Sequence, residues 1–223
     1  MTPLTKLVLA PHPDDEILGV GGAMARWAGE GHAVTVAVVT RGRPPLYTQA
    51  EEECCRAEAR AAHARLGLGP AQHLDLPAAE LDRLAHRELN ERLAELLRRC
   101  APDELYLPFP GDLHRDHQLV FQSALVAARP CRPGAPRRVF AYETLSETNW
   151  NAPYLTPGFR PTHFVDVTAT LDDKLAAMAC YRSQLRSPPH ERSLEALRAL
   201  AVLRGATVGV GAAEAFVTVR TVL

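Results

Sequence analysis

The chain has 223 residues, and its 25 Lys and Arg residues against 26 Asp and Glu residues give a formal charge of −1. A chain of this length can bury a sizeable core, so we expect residues 1–223 to fold as a single domain. Balanced charge without runs of one sign lacks the electrostatic footprint of nucleic-acid-binding proteins. We therefore expect no nucleic-acid partner.

The sequence also lacks the signals of membrane proteins and secreted proteins. No stretch approaches the roughly 18 consecutive apolar residues of a membrane span, and the N-terminal residues do not form a signal peptide. We therefore expect a cytoplasmic protein. The cysteines are odd in number and form no CxxC pair, which favours free thiols over a disulfide framework or a cysteine zinc site. They are Cys54, Cys55, Cys100, Cys131 and Cys180.

Apolar stretches of strand length alternate with helical patterns along the first half of the chain. The predicted strands lie at residues 6–10, 33–40, 72–76 and 104–107. The predicted helices lie at residues 15–31, 48–66, 81–100 and 116–128. This alternation predicts a Rossmann-like α/β fold, with a doubly wound, mostly parallel sheet flanked by helices. In such a sheet, ligands bind at the carboxyl ends of the strands.

The second half adds further elements to the same predicted sheet. They are a strand at residues 138–142, helices at 171–184 and 193–203, and a last strand at 215–219. We expect residues 168–223 to form a closing lobe on the same core. Residues 146–161 are rich in Asn, Pro and Gly and predict a long loop, and loops of this length are often functional.

The sequence HPDDE follows the first predicted strand directly. Pro13 biases His12 toward extended geometry, while Asp15 enters the first helical turn, so these two side chains can converge. Asp14 and Asp15 point about 100° apart around the helix axis, so one carboxylate can bind a metal while its neighbour faces substrate. A simpler interpretation is that Asp14, Asp15 and Glu16 only cap the helix and complement its dipole.

A second polar motif, HRDH, follows the strand that ends near residue 107. It brings two histidines, His114 and His117, together with Asp116, which can orient an imidazole through its second nitrogen. His12, Asp15 and one of these two histidines would make a three-ligand metal site with a position left for water. Such a site is typical of a catalytic metal rather than a structural one.

Together, the two motifs resemble the PIG-L/LmbE-like family of metal-dependent N-deacetylases. Weaker similarity spans the rest of the chain. It includes TRG at 40–42, Arg56 and Glu58, YETLSETNW at 142–150, YRSQ at 181–184 and AEAF at 213–216. The resemblance implies a hydrolase that removes an acetyl group from an N-acetylated amino sugar. It also implies zinc as the cofactor, with Fe²⁺ as the alternative metal in the cell.

Matched residue by residue, the family implies a role for each polar residue of the two motifs. His12, Asp15 and His117 would hold the metal, and Asp14 would be the general base. His114 would stabilise the oxyanion, as a protonated imidazole favoured by the nearby Asp116. By the same resemblance, Arg56 would contact substrate.

The sequence departs from the family at two places. Many relatives carry an acidic residue just after the proline of LDLPAAEL, where this chain has Ala78 and Ala79. Some relatives place an oxyanion-assisting tyrosine two positions before His114, where this chain has Asp112. We assign no sugar contact to that loop and no oxyanion role to Asp112.

Other marked residues have simpler interpretations. GVGG at residues 19–22 lacks the GxGxxG spacing and follows acidic residues, so we expect close helix packing rather than dinucleotide binding. We expect Tyr142 and Trp150 to serve in packing, with contact to a sugar ring as the alternative. Arg41 and Arg43 either face an anionic or hydroxyl-rich substrate or are solvated. Four histidines are predicted to be structural: His32, His63, His73 and His86. His163 and His190 could reach the pocket or a neighbouring subunit.

Two rival functions remain at this stage. A non-haem Fe(II) oxygenase also uses two histidines and one carboxylate, and an oxygen requirement would reveal it. A sugar-binding relative without catalysis would release no acetate. The sequence inclines toward an N-acetylglucosamine conjugate as the small-molecule substrate, in particular a bacillithiol-type precursor, and toward a homo-oligomer.

Overall fold

Seven strands form one sheet in the computed structural model, which describes residues 2–152 and 154–222. The strands are β1 (Thr5–Ala10), β2 (Ala33–Arg41), β3 (Gln72–Pro77), β4 (Glu104–Pro108), β5 (Arg138–Tyr142), β6 (His163–Asp166) and β7 (Ala213–Thr221). Their spatial order is β3-β2-β1-β4-β5-β7-β6. The first five strands pair in parallel, whereas β7 is antiparallel to both β5 and β6. The predicted doubly wound, mostly parallel sheet is therefore confirmed.

Helices cover both faces of this sheet. They are α1 (Asp15–Gly29), α2 (Gln49–Arg65), α3 (His86–Cys100), α4 (Arg115–Ala127), α5 (Leu171–Met178) and α6 (Leu194–Val208). Side chains of β1 alternate between two buried clusters, because successive residues of a strand point to opposite faces. Val8 packs with α1, α2, α5 and α6, whereas Leu7 and Leu9 pack with α3 and α4. Apolar residues on both faces explain the nearly continuous apolar strands.

The glycines of α1 allow that helix to lie close to its neighbours. A Cβ built on Gly19 would lie 2.2 Å from the Tyr142 ring, and one built on Gly22 would lie 2.9 Å from Val167. The expected role of these glycines in close packing is confirmed. Tyr142 is itself a buried core residue, and its hydroxyl donates to the Leu9 carbonyl at 2.7 Å.

A buried ion pair fastens α1 to the C-terminal part of the chain. Lys174 Nζ lies 2.6 Å from Glu214 Oε1 and donates to the Leu18 carbonyl at 2.8 Å. The Glu214 carboxylate accepts hydrogen bonds from the backbone N–H groups of Gly22 and Ala23. Glu214 belongs to the AEAF motif, so this contact gives that motif a structural role in holding α1.

Two predicted helices differ from those observed, and one observed strand lies outside the predicted ranges. The helix predicted at 81–100 is a short 3-10 turn at Leu81–Arg83 followed by α3, because the chain is extended at Leu84 and Ala85. The helix predicted at 171–184 ends at Met178, and a turn then brings the Tyr181 side chain into the core. None of the predicted strand ranges covers the edge strand β6. Among the described residues, no helix combines the length and apolar composition of a membrane span.

Candidate metal centre

The two polar motifs meet at the point where the strand order of the sheet reverses. Neighbouring strands β1 and β4 are parallel, and the chain leaves them in opposite directions along the sheet. His12 follows β1 and Asp15 begins α1, whereas His114 precedes α4 and His117 lies in its first turn. Ligands of doubly wound sheets bind in the crevice at this reversal. The fold therefore brings together the residues that the sequence placed at two separate strand ends.

Three of these side chains converge at distances that suit one tetrahedral ion. Asp15 Oδ2 lies 3.3 Å from His12 Nδ1 and 3.2 Å from His117 Nε2. Ligand bonds of about 2.0–2.1 Å in tetrahedral geometry place neighbouring ligand atoms roughly 3.3 Å apart. His117 Nε2 is buried and has no hydrogen-bond partner among the described residues. The donor set therefore fits a divalent metal ion such as Zn²⁺.

Each of the two histidines is oriented by a carboxylate on its other nitrogen. His117 Nδ1 lies 2.8 Å from Asp112 Oδ2, and His12 Nε2 lies 3.1 Å from Asp116 Oδ2. Such carboxylates fix the orientation of a ligating imidazole and raise its basicity. The sequence predicted an orienting role of this kind for Asp116. It missed Asp112, although an aspartate five residues before a candidate ligand was a usable signal.

The charges of these groups are strongly coupled. Burial opposes ionisation of Asp15, but the charges and hydrogen bonds of His117 and His12 together lower the pKa of Asp15 well below its ordinary value. Burial likewise opposes the charged form of His12, but its contacts with Asp116 and Asp15 raise the pKa of His12 to about 9. The cluster therefore attracts positive charge, which is the electrostatic setting of a cation site.

A second group of potential ligands overlaps the first. His12, His114 and Asp116 also offer donor atoms within 4.8 Å of one another. Asp116 Oδ2 already accepts a hydrogen bond from the Ala79 N–H at 2.7 Å as well as contacting His12. Both groups are candidates for a metal ion, and the contact of Asp116 with His12 lets Asp116 orient that imidazole if the ion binds to His12, Asp15 and His117.

Asp14 does not cap the helix, which argues against the capping-only interpretation. It stands at the N-cap position of α1, yet its side chain makes no capping hydrogen bond. Asp14 is 2% exposed, and its Oδ2 has no hydrogen-bond partner among residues 2–152 and 154–222. Arg192 Nη1 lies 3.5 Å from that oxygen. Burial and the Asp15 charge raise the pKa of Asp14 well above its ordinary value.

His114 is not protonated as the sequence predicted. Its Nδ1 accepts the backbone N–H of Asp116 at 3.1 Å, whereas the Asp116 carboxylate turns toward His12. Burial and the charge of His12 lower the pKa of His114 to about 4. The prediction of a protonated His114 is wrong because the Asp116 carboxylate contacts His12 and not His114. A neutral His114 with its proton on Nε2 still carries one hydrogen-bond donor.

A cavity of about 470 Å³ opens above these residues, within the range of small-molecule sites. His12, Asp14 and His114 line its floor. Arg56 lies in its wall, with its guanidinium paired to the Glu52 and Asp75 carboxylates. The cavity therefore offers both charged and hydrogen-bonding groups to a polar ligand.

A family model described as GlcNAc-PI de-N-acetylase, PIG-L, matches residues 7–128, which is more than half of the chain. The chain belongs to the PIG-L family. Both polar motifs lie within the matched range. The Escherichia coli (strain K12) protein described as uncharacterized deacetylase YaiS is 28% identical over 148 residues, covering 63% of this chain and 74% of that protein.

Solved structures share the fold of this PIG-L protein over nearly its whole length. The conserved protein TT1542 of Thermus thermophilus is 31% identical with a TM-score of 0.81, covering 99% of this chain and 96% of that one. The N,N'-diacetylchitobiose deacetylase of Pyrococcus horikoshii is 24% identical with a TM-score of 0.76, covering 96% and 84%. The 4-carboxy-2-hydroxymuconate hydratase GalB of Pseudomonas putida KT2440 is 24% identical with a TM-score of 0.77, covering 99% and 98%. The last two likenesses concern the fold alone.

Two histidines that were predicted to be structural, and one residue of the predicted long loop, lie at or behind the candidate metal centre. His73 lines the cavity, and so does Glu147 from the predicted loop at 146–161, of which Pro153 lies outside the described residues. His63 was expected to be structural, and it is buried with its Nε2 2.9 Å from Glu16 Oε1. That partner is 47 residues away in the chain, so local spacing could not reveal it.

Other sequence candidates lie elsewhere. His163 stacks on Phe140 with ring centroids 4.5 Å apart and does not line the cavity, so its expected reach into the pocket is wrong. His190 lies against Trp150, with ring centroids 5.4 Å apart, and neither residue lines the cavity. Arg41 does line the cavity, with its Nε 3.7 Å from Glu52 Oε1.

Proposed function

We propose that this PIG-L protein is a zinc-dependent hydrolase that removes the acetyl group from an N-acetylated amino sugar. The observation that carries the proposal is the Asp14 carboxylate. It is buried, makes no helix cap, and lines the cavity beside the three candidate metal ligands. A carboxylate kept without a hydrogen-bond partner at Oδ2 is suited to a proton that arrives during a reaction.

His12 Nδ1, Asp15 Oδ2 and His117 Nε2 would hold the zinc ion. When bound in such a site, zinc lowers the pKa of a coordinated water to about 7 and polarises a carbonyl oxygen. The Asp112 and Asp116 carboxylates keep the two imidazoles oriented toward the ion.

Asp14 would act as the general base and then as the general acid. Its Oδ2 would take the proton from the attacking water and deliver it to the nitrogen of the departing amino sugar. Burial and the Asp15 charge raise the pKa of Asp14, which makes its carboxylate a better proton acceptor and lets it retain the proton until the C–N bond breaks. Arg192, 3.5 Å away, restrains the orientation of this carboxylate.

His114 would stabilise the carbonyl oxygen as charge develops on it. The Asp116 N–H occupies its Nδ1, so the imidazole proton stands on Nε2 and can donate to that oxygen. Losing one such donor typically costs about 2.7–4 kcal/mol of barrier, which corresponds to a rate loss of roughly 10²–10³-fold. His114 performs this role as a neutral imidazole.

The substrate would be an N-acetylglucosamine conjugate, with a bacillithiol-type precursor as the first compound to test. Two similarities support this choice, since the family is named for a GlcNAc-PI de-N-acetylase and the Pyrococcus horikoshii enzyme is an N,N'-diacetylchitobiose deacetylase. Arg56 in the cavity wall would orient the sugar, with Glu52 and Asp75 holding its guanidinium. We also propose a cytoplasmic location, a homo-oligomeric state and one domain over residues 1–223 with residues 168–223 as its closing lobe.

The direct test is acetate release by zinc-loaded protein from N-acetylglucosamine conjugates. The D14N variant should keep its zinc but lose about 10²–10⁴-fold in turnover, since it removes a general base. D166N is a matched control, because Asp166 is an exposed aspartate that lies outside the cavity. Its carboxylate accepts the Thr168 N–H. Turnover by D14N at the parent rate would overturn the assignment of the base. Activity that requires Fe²⁺ and oxygen would favour the oxygenase instead.

A further inference from the structure

A buried polar cluster lies behind the proposed base and joins three separate parts of the chain. This Glu16 cluster consists of Glu16 in α1, His63 in α2 and Tyr181 after α5. Glu16 Oε1 accepts hydrogen bonds from the Tyr181 hydroxyl at 2.7 Å and from His63 Nε2 at 2.9 Å. All three side chains are at most 1% exposed. None of the three lines the cavity, so the cluster does not touch a ligand bound there.

The second oxygen of Glu16 reaches the backbone of Asp14. Glu16 Oε2 accepts the Asp14 N–H at 3.1 Å. Asp14 has φ of 105° and ψ of −27°, a left-handed conformation that is unfavourable for a residue with a Cβ. Such a conformation typically costs about 1–3 kcal/mol and persists only where the surrounding structure enforces it. The hydrogen bond from the Asp14 N–H to the Glu16 carboxylate helps to hold Asp14 in this conformation.

The hydrogen bonds of the cluster determine how Glu16 is held. His63 Nε2 is the nitrogen that faces Glu16, whereas His63 Nδ1 is buried without a partner in the described part of the chain. The Glu16 carboxylate then receives three donors, one each from His63, Tyr181 and the Asp14 backbone. A buried carboxylate with this many donors has a fixed orientation. It therefore presents Oε2 to the Asp14 N–H in one geometry.

We propose that Glu16 is a positioning residue for the reaction, and that His63 and Tyr181 hold it in place. The chain of contacts runs from α2 and the segment after α5, through Glu16, to the backbone of Asp14. It sets the direction in which the Asp14 carboxylate enters the cavity. Asp15 is held separately, because its Oδ2 accepts the His12 N–H at 2.8 Å. The proposal rests on the proposed role of Asp14 as the general base.

The E16Q variant tests this role with almost no change in side-chain volume. A glutamine has one acceptor oxygen, so it cannot accept from Tyr181 and His63 on one side and from the Asp14 N–H on the other. We expect kcat to fall about 10- to 100-fold, in line with the loss that a misplaced catalytic group causes. KM and zinc affinity should stay within about twofold of the parent values, because neither the ligands nor the cavity wall changes.

A pair of tyrosine variants separates positioning from stability and remains informative if E16Q does not fold. Y181F removes one donor to Glu16, whereas Y106F removes a similar buried hydrogen bond of 2.8 Å to Glu104 at the far end of the sheet. Both variants should lower the melting temperature, since each loses a hydrogen bond to a buried carboxylate. Only Y181F should lower kcat, by about 3- to 10-fold. Equal losses of kcat in both variants, or none in Y181F, would overturn the proposal.

Crystal structures of the zinc-loaded parent and E16Q proteins give a readout that is independent of activity. The Asp14 backbone should leave its left-handed conformation, or its carboxylate should turn, in E16Q and not in Y106F. An Asp14 in the parent position in E16Q would overturn the proposal whatever the kinetics. A parent protein that releases no acetate, but whose Asp14 shifts in E16Q, would contradict the proposed function while leaving the positioning intact.

Discussion

The same two strands, β1 and β4, carry buried charged groups at both of their ends, but the two groups differ in how they are satisfied. At the amino ends, Glu104 pairs with Lys6, accepts the Tyr106 hydroxyl at 2.8 Å and contacts Arg138 at 2.6 Å. Its polar atoms have partners within the protein. At the carboxyl ends, Asp14 Oδ2 and His117 Nε2 are buried without hydrogen-bond partners among the described residues.

Buried polar groups are normally hydrogen-bonded, and each exception calls for an explanation. The amino-end cluster needs no ligand, because the Glu104 carboxylate already has cationic and hydrogen-bonding partners within the protein. In the proposed function, a metal ion bound to His117 and a proton taken up by Asp14 would satisfy the carboxyl-end cluster. Burial of charge alone therefore does not mark a site, whereas partnerless ligand atoms that lie together beside a cavity make the carboxyl end the candidate.

The sharpest test of this comparison removes one buried side chain from the carboxyl end. The H117A variant should lose stoichiometric zinc and lose turnover by about 10⁴-fold or more, because it removes a metal ligand and with it the activation of water. Zinc content by inductively coupled plasma mass spectrometry and acetate release measure the two effects. A fully zinc-loaded H117A protein would contradict the ligand assignment.

The matching change at the amino end should affect stability instead. The K6M variant removes the lysine from Glu104 while Arg138 and Tyr106 remain, and losing a hydrogen bond to a charged group typically costs about 1.5–3 kcal/mol. Urea unfolding of K6M should show this loss, while kcat of the folded fraction and zinc content stay at parent values. R87Q is the control, because Arg87 is highly exposed and its pair with Glu91 should contribute at most about 1 kcal/mol. A large loss of kcat in K6M would contradict the expectation that the amino-end cluster serves stability and not turnover.

Removing the carboxylate that orients His117 should give a smaller effect. The D112N variant keeps the size of the side chain but weakens its contact with His117 Nδ1. Losing such a partner typically lowers metal affinity about 10- to 100-fold. Competition with a chromogenic zinc chelator measures this change, and D103N at the other end of the sheet is the control. An unchanged affinity in D112N would mean that Asp112 does not support the ligand.

The pH dependence of zinc binding tests the electrostatics of the same cluster. The pKa of His12 is raised to about 9 without metal, and a histidine must lose its proton to bind zinc. Zinc affinity should therefore rise with pH up to about 9, by at most about tenfold per unit for each proton released. The folding stability of the metal-free protein should instead fall as pH rises. The stability that comes from the raised His12 pKa is full below about 6.5 and lost as pH approaches 9. An affinity that is flat between pH 6 and 9 would contradict the account.

The sequence predicted the sheet and the central ligands because both leave local signals. Alternating strand and helix patterns predict the doubly wound order, and the two polar motifs lie in the segments that join β1 to α1 and β4 to α4 or in the first turns of those helices. Contacts between distant residues leave no such signal. Glu16 meets His63 and Tyr181 across 47 and 165 residues, and Lys6 meets Glu104 across 98. The protonation of His114 was mispredicted for the same reason, since it depends on where the Asp116 carboxylate turns.

Anomalous diffraction at the zinc edge, from crystals of the zinc-loaded protein, would show directly which residues hold the ion. We expect one strong peak bonded to His12 Nδ1, Asp15 Oδ2 and His117 Nε2, with Asp14 beside it but not bound. A peak among His12 Nε2, His114 and Asp116 instead, or no peak at the carboxyl ends of β1 and β4, would contradict it.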